Sequence, residues 1–245
     1  MRVETLSTFP AMFDSVMGAS MMKRAREKGL LDFQAYDLRE WTHDRHRTTD
    51  DEPYGGGNGL VMKCEPVFEA FDSICAKTEY GRPTTVFLSP CGALFDEAKA
   101  CELAACERLL FICGHYEGMD ERCYTLADEV LSLGDYVLTS GELASMVIID
   151  AVVRKIPGVL GAPDGAQDES FAQGLLEYPQ YTRPAEFRGM KVPDVLLSGN
   201  HGAVDTWRWQ CSLERTARLR PDLLEDEALQ ARLSPADRRF LQNLR

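Results

Sequence analysis

The alternation of strands and helices between residues 84 and 155 constrains the fold more than any other feature of this chain. Thr84 to Leu88 has strand character and runs into Ser89-Pro90-Cys91-Gly92. Asp96 to Arg108 has helical spacing, and the apolar run Leu109 to Cys113 stops at Gly114. Asp120 to Ala127 reads as helical, Glu129 to Leu133 as a short strand stopping at Gly134, and Ser140 to Lys155 as a helix closed by Pro157-Gly158. Upstream, residues 2 to 8 and 31 to 38 predict two more strands, and 10 to 29 and 65 to 77 two more helices. The pattern predicts an α/β fold with a mostly parallel sheet covered on both faces. Ligands of such sheets bind beyond the carboxyl ends of the strands. Three of these strands end in turns with Gly or Pro, where backbone can approach a ligand closely.

The helix at 140 to 155 leaves little polar face: Leu143, Met146, Val147, Ile148, Ile149, Val152 and Val153 surround it. An all-round apolar helix is buried in a core or in a subunit interface, and a domain this small favours a share for the interface. Residues 161 to 170, GAPDGAQDES, read as a linker or lid. Beyond them the chain turns Arg-rich, with helices predicted at 202 to 219, 222 to 231 and 235 to 244. The organisation expected is a domain over 1 to 160, a flexible segment over 161 to 172, and a mainly helical domain over 173 to 245.

Composition narrows the classes. No apolar run approaches the roughly 18 to 20 residues that cross a bilayer, so no membrane partner is expected. The start, MRVETLSTFPAMF, lacks the apolar stretch of a signal peptide. Eight cysteines occur without a C-x-x-C pair, which suits reduced thiols in the cytoplasm. His43 and His46 lie in a charged loop, read as solvated and not as a metal site. The formal charge of −12 speaks against nucleic acid only as an average, because phosphate binding follows local fields. Residues 23 to 28 and 183 to 220 run against that average; Trp207 and Trp209 in the second stretch suit either base stacking or a core.

The familiar catalytic signatures are missing: no G-x-S-x-G, no Walker loop, and no G-x-G-x-x-G between a strand and a helix. That favours a reaction whose electrophile arrives already activated, such as a sulfonium methyl donor. An ordered set of segments carries more. It comprises Pro53-Tyr54-Gly55-Gly56-Gly57, Leu88-Ser89-Pro90, Cys113-Gly114-His115-Tyr116-Glu117-Gly118-Met119-Asp120-Glu121-Arg122, and Gly134-Asp135-Tyr136-Val137-Leu138. It continues with Gly141-Glu142-Leu143, Arg154 with Ile156-Pro157-Gly158-Val159-Leu160-Gly161, Asp168-Glu169-Ser170-Phe171, Tyr181-Thr182-Arg183-Pro184 and Leu197-Ser198-Gly199-Asn200-His201. In this order the set closely resembles the bacterial tRNA (guanine-N1)-methyltransferases of the TrmD type, from about residue 2 to about residue 225.

The resemblance implies an α/β-knot fold of the SPOUT superfamily, a deep trefoil knot entered after about residue 85, and a homodimer. It implies S-adenosyl-L-methionine as donor, assisted by Mg²⁺, and the anticodon stem-loop of tRNA as substrate, methylated at N1 of guanosine 37. The donor would lie against Leu88, Ser89, Pro90, Gly114, Tyr116, Glu117, Gly118, Leu133, Gly134, Asp135, Tyr136, Val137, Leu138 and Gly141. Asp168 would take the N1 proton and Arg154 offset charge on O6, with Glu169 as the fallback base. Read without the family, Asp168 is more readily an N-cap for a helix starting near Glu169, and Arg154 a cation near a helix C-terminus, than catalytic groups. Arg183, Ser198, Asn200, His201, Arg208, Arg215 and Arg218 would hold the RNA, with Ser198, Asn200 and His201 just before a helix N-terminus. No metal-ligand cluster stands out beyond the acidic lid. His115, Asn58, Ser140 and Ala144 depart from the family pattern; His115 could make donor or substrate contact depend on pH. Methylation of another RNA position and an inactive RNA-binding protein are the competing readings.

Overall fold

Five strands build the sheet of the first of two compact units, Met1–Pro163 and Asp164–Arg245. They are β1 (Arg2–Ser7), β2 (Asp32–Asp37), β3 (Thr84–Leu94), β4 (Arg108–Ile112) and β5 (Glu129–Ser132). Their order is β2-β1-β4-β3-β5, and every neighbouring pair is parallel. The computed structural model describes residues 1–161 and 169–244.

Helices α1 (Ser20–Glu27), α3 (Glu97–Ala104) and α4 (Gly141–Val153) contribute to the core on one face; α2 (Cys64–Cys75) covers the other. That two-sided cover is why β4 reads as an unbroken apolar run. Leu109 and Phe111 enter the first core, Leu110 and Ile112 the second, and all are buried. Each such side chain contributes about 1.5–3 kcal/mol when fully buried. At the start of β4, Arg108 is also buried, donating to Glu4 Oε2 at 2.7 Å and to the Ile74 carbonyl at 2.9 Å. It thereby ties the end of α2 to the sheet.

The structure refines three predicted elements. The helix expected over 10 to 29 breaks into a 3-10 turn at Pro10–Phe13, one helical turn at Asp14–Met17, and α1. Phe13 and Met17 are buried from the first part and Met22 and Ala25 from α1, so the break lets both parts reach one core. The segment expected to be helical over 120 to 127 is a 3-10 helix, Glu121–Leu126. The strand expected to end at Leu88 resumes after a bulge and continues to Leu94.

Helix α4 is mostly core: Met146, Ile148, Ile149, Val152 and Val153 are buried. Leu143 and Val147, one helical turn apart, remain 39% and 54% exposed. Among the described residues, no helix is long and apolar enough to cross a membrane.

The second unit holds α5 (His201–Leu219), α6 (Glu227–Arg232) and α7 (Pro235–Asn243), with a short antiparallel pair, Glu186–Phe187 and Met190–Lys191. Leu175, Leu213, Leu229 and Leu233 form its core, with Trp209 and Phe240 packed against them. Asp226 caps α6 by accepting from Leu229 N–H, which separates α6 from the 3-10 turn Pro221–Glu225 where one helix was predicted.

Candidate active site

The carboxyl ends of β3, β4 and β5 open into three turns, and each is shaped by a specific departure from regular pairing. Leu88 and Ala93 of β3 both pair with Leu131 of β5, so Ser89 to Gly92 loop out between them. A Cβ at position 92 would meet the Leu131 backbone at 2.6 Å, so only glycine permits this bulge. After β4, Cys113 N–H donates to the Leu6 carbonyl at 3.0 Å and Gly118 N–H to the His115 carbonyl at 3.1 Å. Tyr116 at the bend has a positive φ of 59°. Residues 60 to 62 run alongside this turn: Glu117 N–H donates to the Leu60 carbonyl at 3.1 Å and Met62 N–H to the Gly118 carbonyl at 3.0 Å. After β5, Gly134 N–H donates to Ser132 Oγ at 3.2 Å.

Helix α4 begins against the second turn. Gly141 N–H donates to the Gly114 carbonyl at 2.7 Å, and a Cβ on Gly141 would stand 2.7 Å from Gly114 N. The three turns and this helix start enclose a cavity of about 330 Å³. That lies in the range of about 300–1,000 Å³ typical of small-molecule sites. Twelve of the fourteen residues expected against the donor line it: Leu88, Ser89, Pro90, Gly114, Tyr116, Glu117, Gly118, Leu133, Tyr136, Val137, Leu138 and Gly141. Gly134 and Asp135 do not line it and instead form the bend that carries Tyr136, whose N–H donates to the Gly134 carbonyl at 2.8 Å. The wall also takes in Cys91, Tyr124, Ser132 and Thr139, and three of the residues singled out as departures, His115, Ser140 and Ala144. Tyr124 comes from the 3-10 helix; no sequence signal pointed to it.

Burial sets the electrostatics beneath the cavity. Cys113 is fully buried, and desolvation, reinforced by the Glu142 carboxylate, pushes its thiol far above the ordinary value. Burial raises the phenols of Tyr116 and Tyr124 as well; for Tyr116 the carboxylate of Asp50 adds to the rise. Outside the cavity, the bidentate Arg122 guanidinium holds Asp120 down to about 2, with contacts of 2.8 and 2.7 Å.

Arg154 is half-buried and closes α4 as its C-cap, donating its backbone N–H to the Asp150 carbonyl at 3.2 Å. Asp168 lies outside the described residues. In the second unit, several expected RNA contacts serve the fold itself. Asn200 caps α5 by accepting from Ala203 N–H at 3.1 Å, and Ser198 Oγ donates to the Val195 carbonyl at 2.7 Å. Arg215 donates to the Glu177 carbonyl at 3.0 Å, and Arg208 lies over the Tyr178 ring at 4.8 Å beside a cavity of about 220 Å³. Arg183, His201 and Arg218 are exposed. Trp209 is a core residue whose Nε1–H donates to Asp237 at 2.8 Å; Trp207 lies 6.4 Å from the Tyr181 ring. His43 is exposed and hydrogen-bonds Glu69 at 2.9 Å. Among the described residues, no group of three or more His, Cys, Asp or Glu could hold a metal ion.

A parallel sheet whose strand-end turns close on one cavity of small-molecule size defines the class as α/β, with the cavity at the strand ends where such sheets ordinarily take ligands. More narrowly, the chain belongs to the TrmD family of tRNA (guanine-1)-methyltransferases, whose family model matches residues 1–226. The tRNA (guanine-N(1)-)-methyltransferase of Moorella thermoacetica is 53% identical over 245 residues, 100% of this chain and 96% of that protein. Those of Limosilactobacillus fermentum (50%) and Geobacter sulfurreducens (51%) cover 100% of this chain and 96% and 98% of their own lengths. The enzyme class expected from the sequence, a tRNA (guanine-N1)-methyltransferase, is the one this family and these relatives carry.

Proposed function

We propose that this chain methylates N1 of guanosine 37 in tRNA, with S-adenosylmethionine held in the cavity at the ends of β3, β4 and β5. The observation that carries the reading is the convergence of three strand-end turns and the α4 start on that cavity. The residues present fit such a donor. Leu88, Leu133, Val137 and Leu138 offer apolar walls to a purine, and the backbone of the turns offers N–H and C=O groups to its edge and to a ribose. When bound, the donor supplies a methyl group already activated by its sulfonium, so the protein's own work is positioning and proton removal.

In this reading Asp168 accepts the proton from guanine N1. Arg154, at the end of α4, offsets the negative charge that develops on O6. An ordinary carboxylate with a pKa near 3.9 is a weak base for this proton, so charge stabilisation by Arg154 carries much of the burden. Glu169 is the fallback base. Arg183, His201 and Arg218 are the exposed candidates for phosphates of the anticodon stem-loop. Mg²⁺ enters as an assisting ion with no ligand set assigned to it.

The same reading includes the trefoil knot, a domain over 1 to 160 for the donor, a linker or lid over 161 to 172, and a tRNA-binding domain over 173 to 245. It also includes a homodimer, which the exposed stripe of Leu143 and Val147 on α4 supports. Eight free cysteines suit a cytoplasmic enzyme.

The test is methyl transfer from labelled donor to tRNA transcripts carrying guanosine or another base at position 37. Transfer that does not depend on that guanosine overturns the substrate assignment and favours another RNA position. Asp168→Asn should cut turnover by about 10²–10⁴-fold and leave donor affinity unchanged. Near-normal turnover in that variant moves the base to Glu169 or elsewhere.

A further inference from the structure

Glu142, the second residue of α4, is a carboxylate with no exposure at all. Ser7 Oγ accepts from the Phe9 N–H at 2.8 Å, and its own proton goes to Glu142 Oε1 at 2.5 Å. The other oxygen, Oε2, has no hydrogen-bond partner. It faces His115 Nδ1 at 4.0 Å, and that nitrogen is also buried without a partner. The His115 ring stands between Phe9 and Tyr116, with centroids 4.8 and 4.7 Å away, and the residue lines the cavity. Two orphaned polar atoms of opposite character therefore face each other under the turn that follows β4.

A buried carboxylate with an open oxygen is costly unless a cation meets it. The other ionisable neighbours do not supply one in contact. Cys113, beneath Glu142, is a thiol hydrogen-bonded with Ser145. Tyr116 is a phenol beside Asp50. Arg39 stacks on the far neighbour, Phe9, at 5.3 Å and donates to the Thr8 carbonyl. Imidazole is the side chain that ordinarily changes charge between about pH 5 and pH 8.

We propose that Glu142 is a positioning residue for the donor turn: it holds the protonated His115 ring, and through it residues 114 to 118, in the form that binds the methyl donor. The inference rests on the donor reading of the cavity given above. Protonated His115 gives the Glu142 carboxylate its counter-ion and fixes the ring against Phe9 and Tyr116. Loss of that proton removes the attraction, leaves the carboxylate unpaired and loosens the turn. Donor affinity then falls as the pH rises. His115→Arg supplies a cation at every pH, whereas Glu142→Gln keeps the shape and removes the charge that holds the ring.

The experiment is calorimetric Kd measurement for S-adenosylhomocysteine, the demethylated donor, at about pH 6 and about pH 8. Wild type should bind about fivefold or more weakly at the higher pH. Glu142→Gln should bind weakly at both, with the pH effect gone, and His115→Arg tightly at both. In turnover, Glu142→Gln should raise the donor KM and leave kcat at saturating donor nearly unchanged. A wild-type affinity equal at both pH values overturns the proposal, as does a wild-type pH ratio preserved in Glu142→Gln. Should Glu142→Gln fail to fold, His115→Arg decides: a pH ratio that persists there places the titrating group elsewhere. Wild type that binds the probe with a flat profile removes only this inference; wild type that does not bind it removes the donor reading as well.

Discussion

The cavity at the strand ends and the Arg-rich second unit are built on opposite principles. The cavity owes its shape to backbone: three turns at strand ends, with main-chain bonds holding the one after β4 and close backbone approaches at Gly92 and Gly141 that leave no room for a Cβ. The second unit's expected contacts are side chains, and most of them hold their own unit together. Asn200 is an N-cap, Arg215 braces the Glu177 carbonyl, and Arg208 covers Tyr178. A site of backbone tolerates little change in shape but much change in side-chain chemistry; a site of side chains does the reverse.

Gly141 offers the sharpest way to break that contrast. Its replacement by Ala puts a methyl group 2.7 Å from the Gly114 nitrogen and 3.1 Å from the Cys113 Cα, both backbone atoms that cannot swing aside. Overpacking of this kind costs about 1–3 kcal/mol. If the strain is carried by the donor turn, Gly141→Ala should lose about ten- to hundredfold in donor affinity by calorimetry. Unchanged affinity would mean that the turn is plastic and that its shape is not what binds.

The second unit should divide its arginines into two kinds. Arg218 is exposed on the last turn of α5, whereas Arg215, three residues earlier, is half-buried and bonded to backbone. Arg218→Ala should weaken tRNA binding and lower the salt slope of log K by about 1, with thermal stability unchanged. Arg215→Ala should instead lower stability by about 0.5–1.5 kcal/mol, from the lost hydrogen bond. Filter binding over a salt series, with thermal melts of both variants, reads the two effects separately. An Arg215→Ala variant with normal stability and a reduced salt slope would show that both residues face RNA.

The same contrast explains what was legible before any coordinates. Turns that need Gly or Pro announce themselves, so Ser89-Pro90-Cys91-Gly92, Gly114 and Gly134 marked the strand ends, and twelve of the fourteen residues that the family resemblance implied line one cavity there. The apolar run of β4 was equally plain, because a strand covered on both faces has no alternation to hide. Glu142 was not legible: a carboxylate in the first turn of a helix ordinarily complements the helix dipole at the surface, and only the fold brings Ser7, 135 residues earlier, against it. The fold roles of Asn200 and Arg215 were not legible either, since capping and bracing leave no mark that separates them from exposed phosphate contacts. The break between residues 10 and 29 escaped notice because both halves keep helical spacing, and the change of direction is dictated by the core they share.

The smallest expected effect concerns the buried thiols of the first unit. Cys123 is fully buried in the core around α2, and desolvation, with Asp120 adding to it, pushes its thiol up to about 12 from an ordinary 9.0. Cys113 is raised for the same reason in the core on the other face. Because the folded pKa lies above the unfolded one, the unfolded chain ionises first as the pH rises. The stabilisation is complete below the unfolded value near 9.0 and is lost as the pH climbs towards the folded value near 12. Cys211 of the second unit is also raised, but it is only partly buried. Hydrogen exchange between pH 8.5 and 10.5, on the order of one to two units around the thiol range, should therefore show protection falling in β4 and in the 3-10 helix at 121 to 126 before it falls in α5. Cys123→Ala should flatten that fall in the first unit and leave α5 unaffected. Equal losses in both units, with and without the substitution, would mean that alkaline unfolding is driven by groups other than the buried thiols, and that the two units do not differ in the way their cores imply.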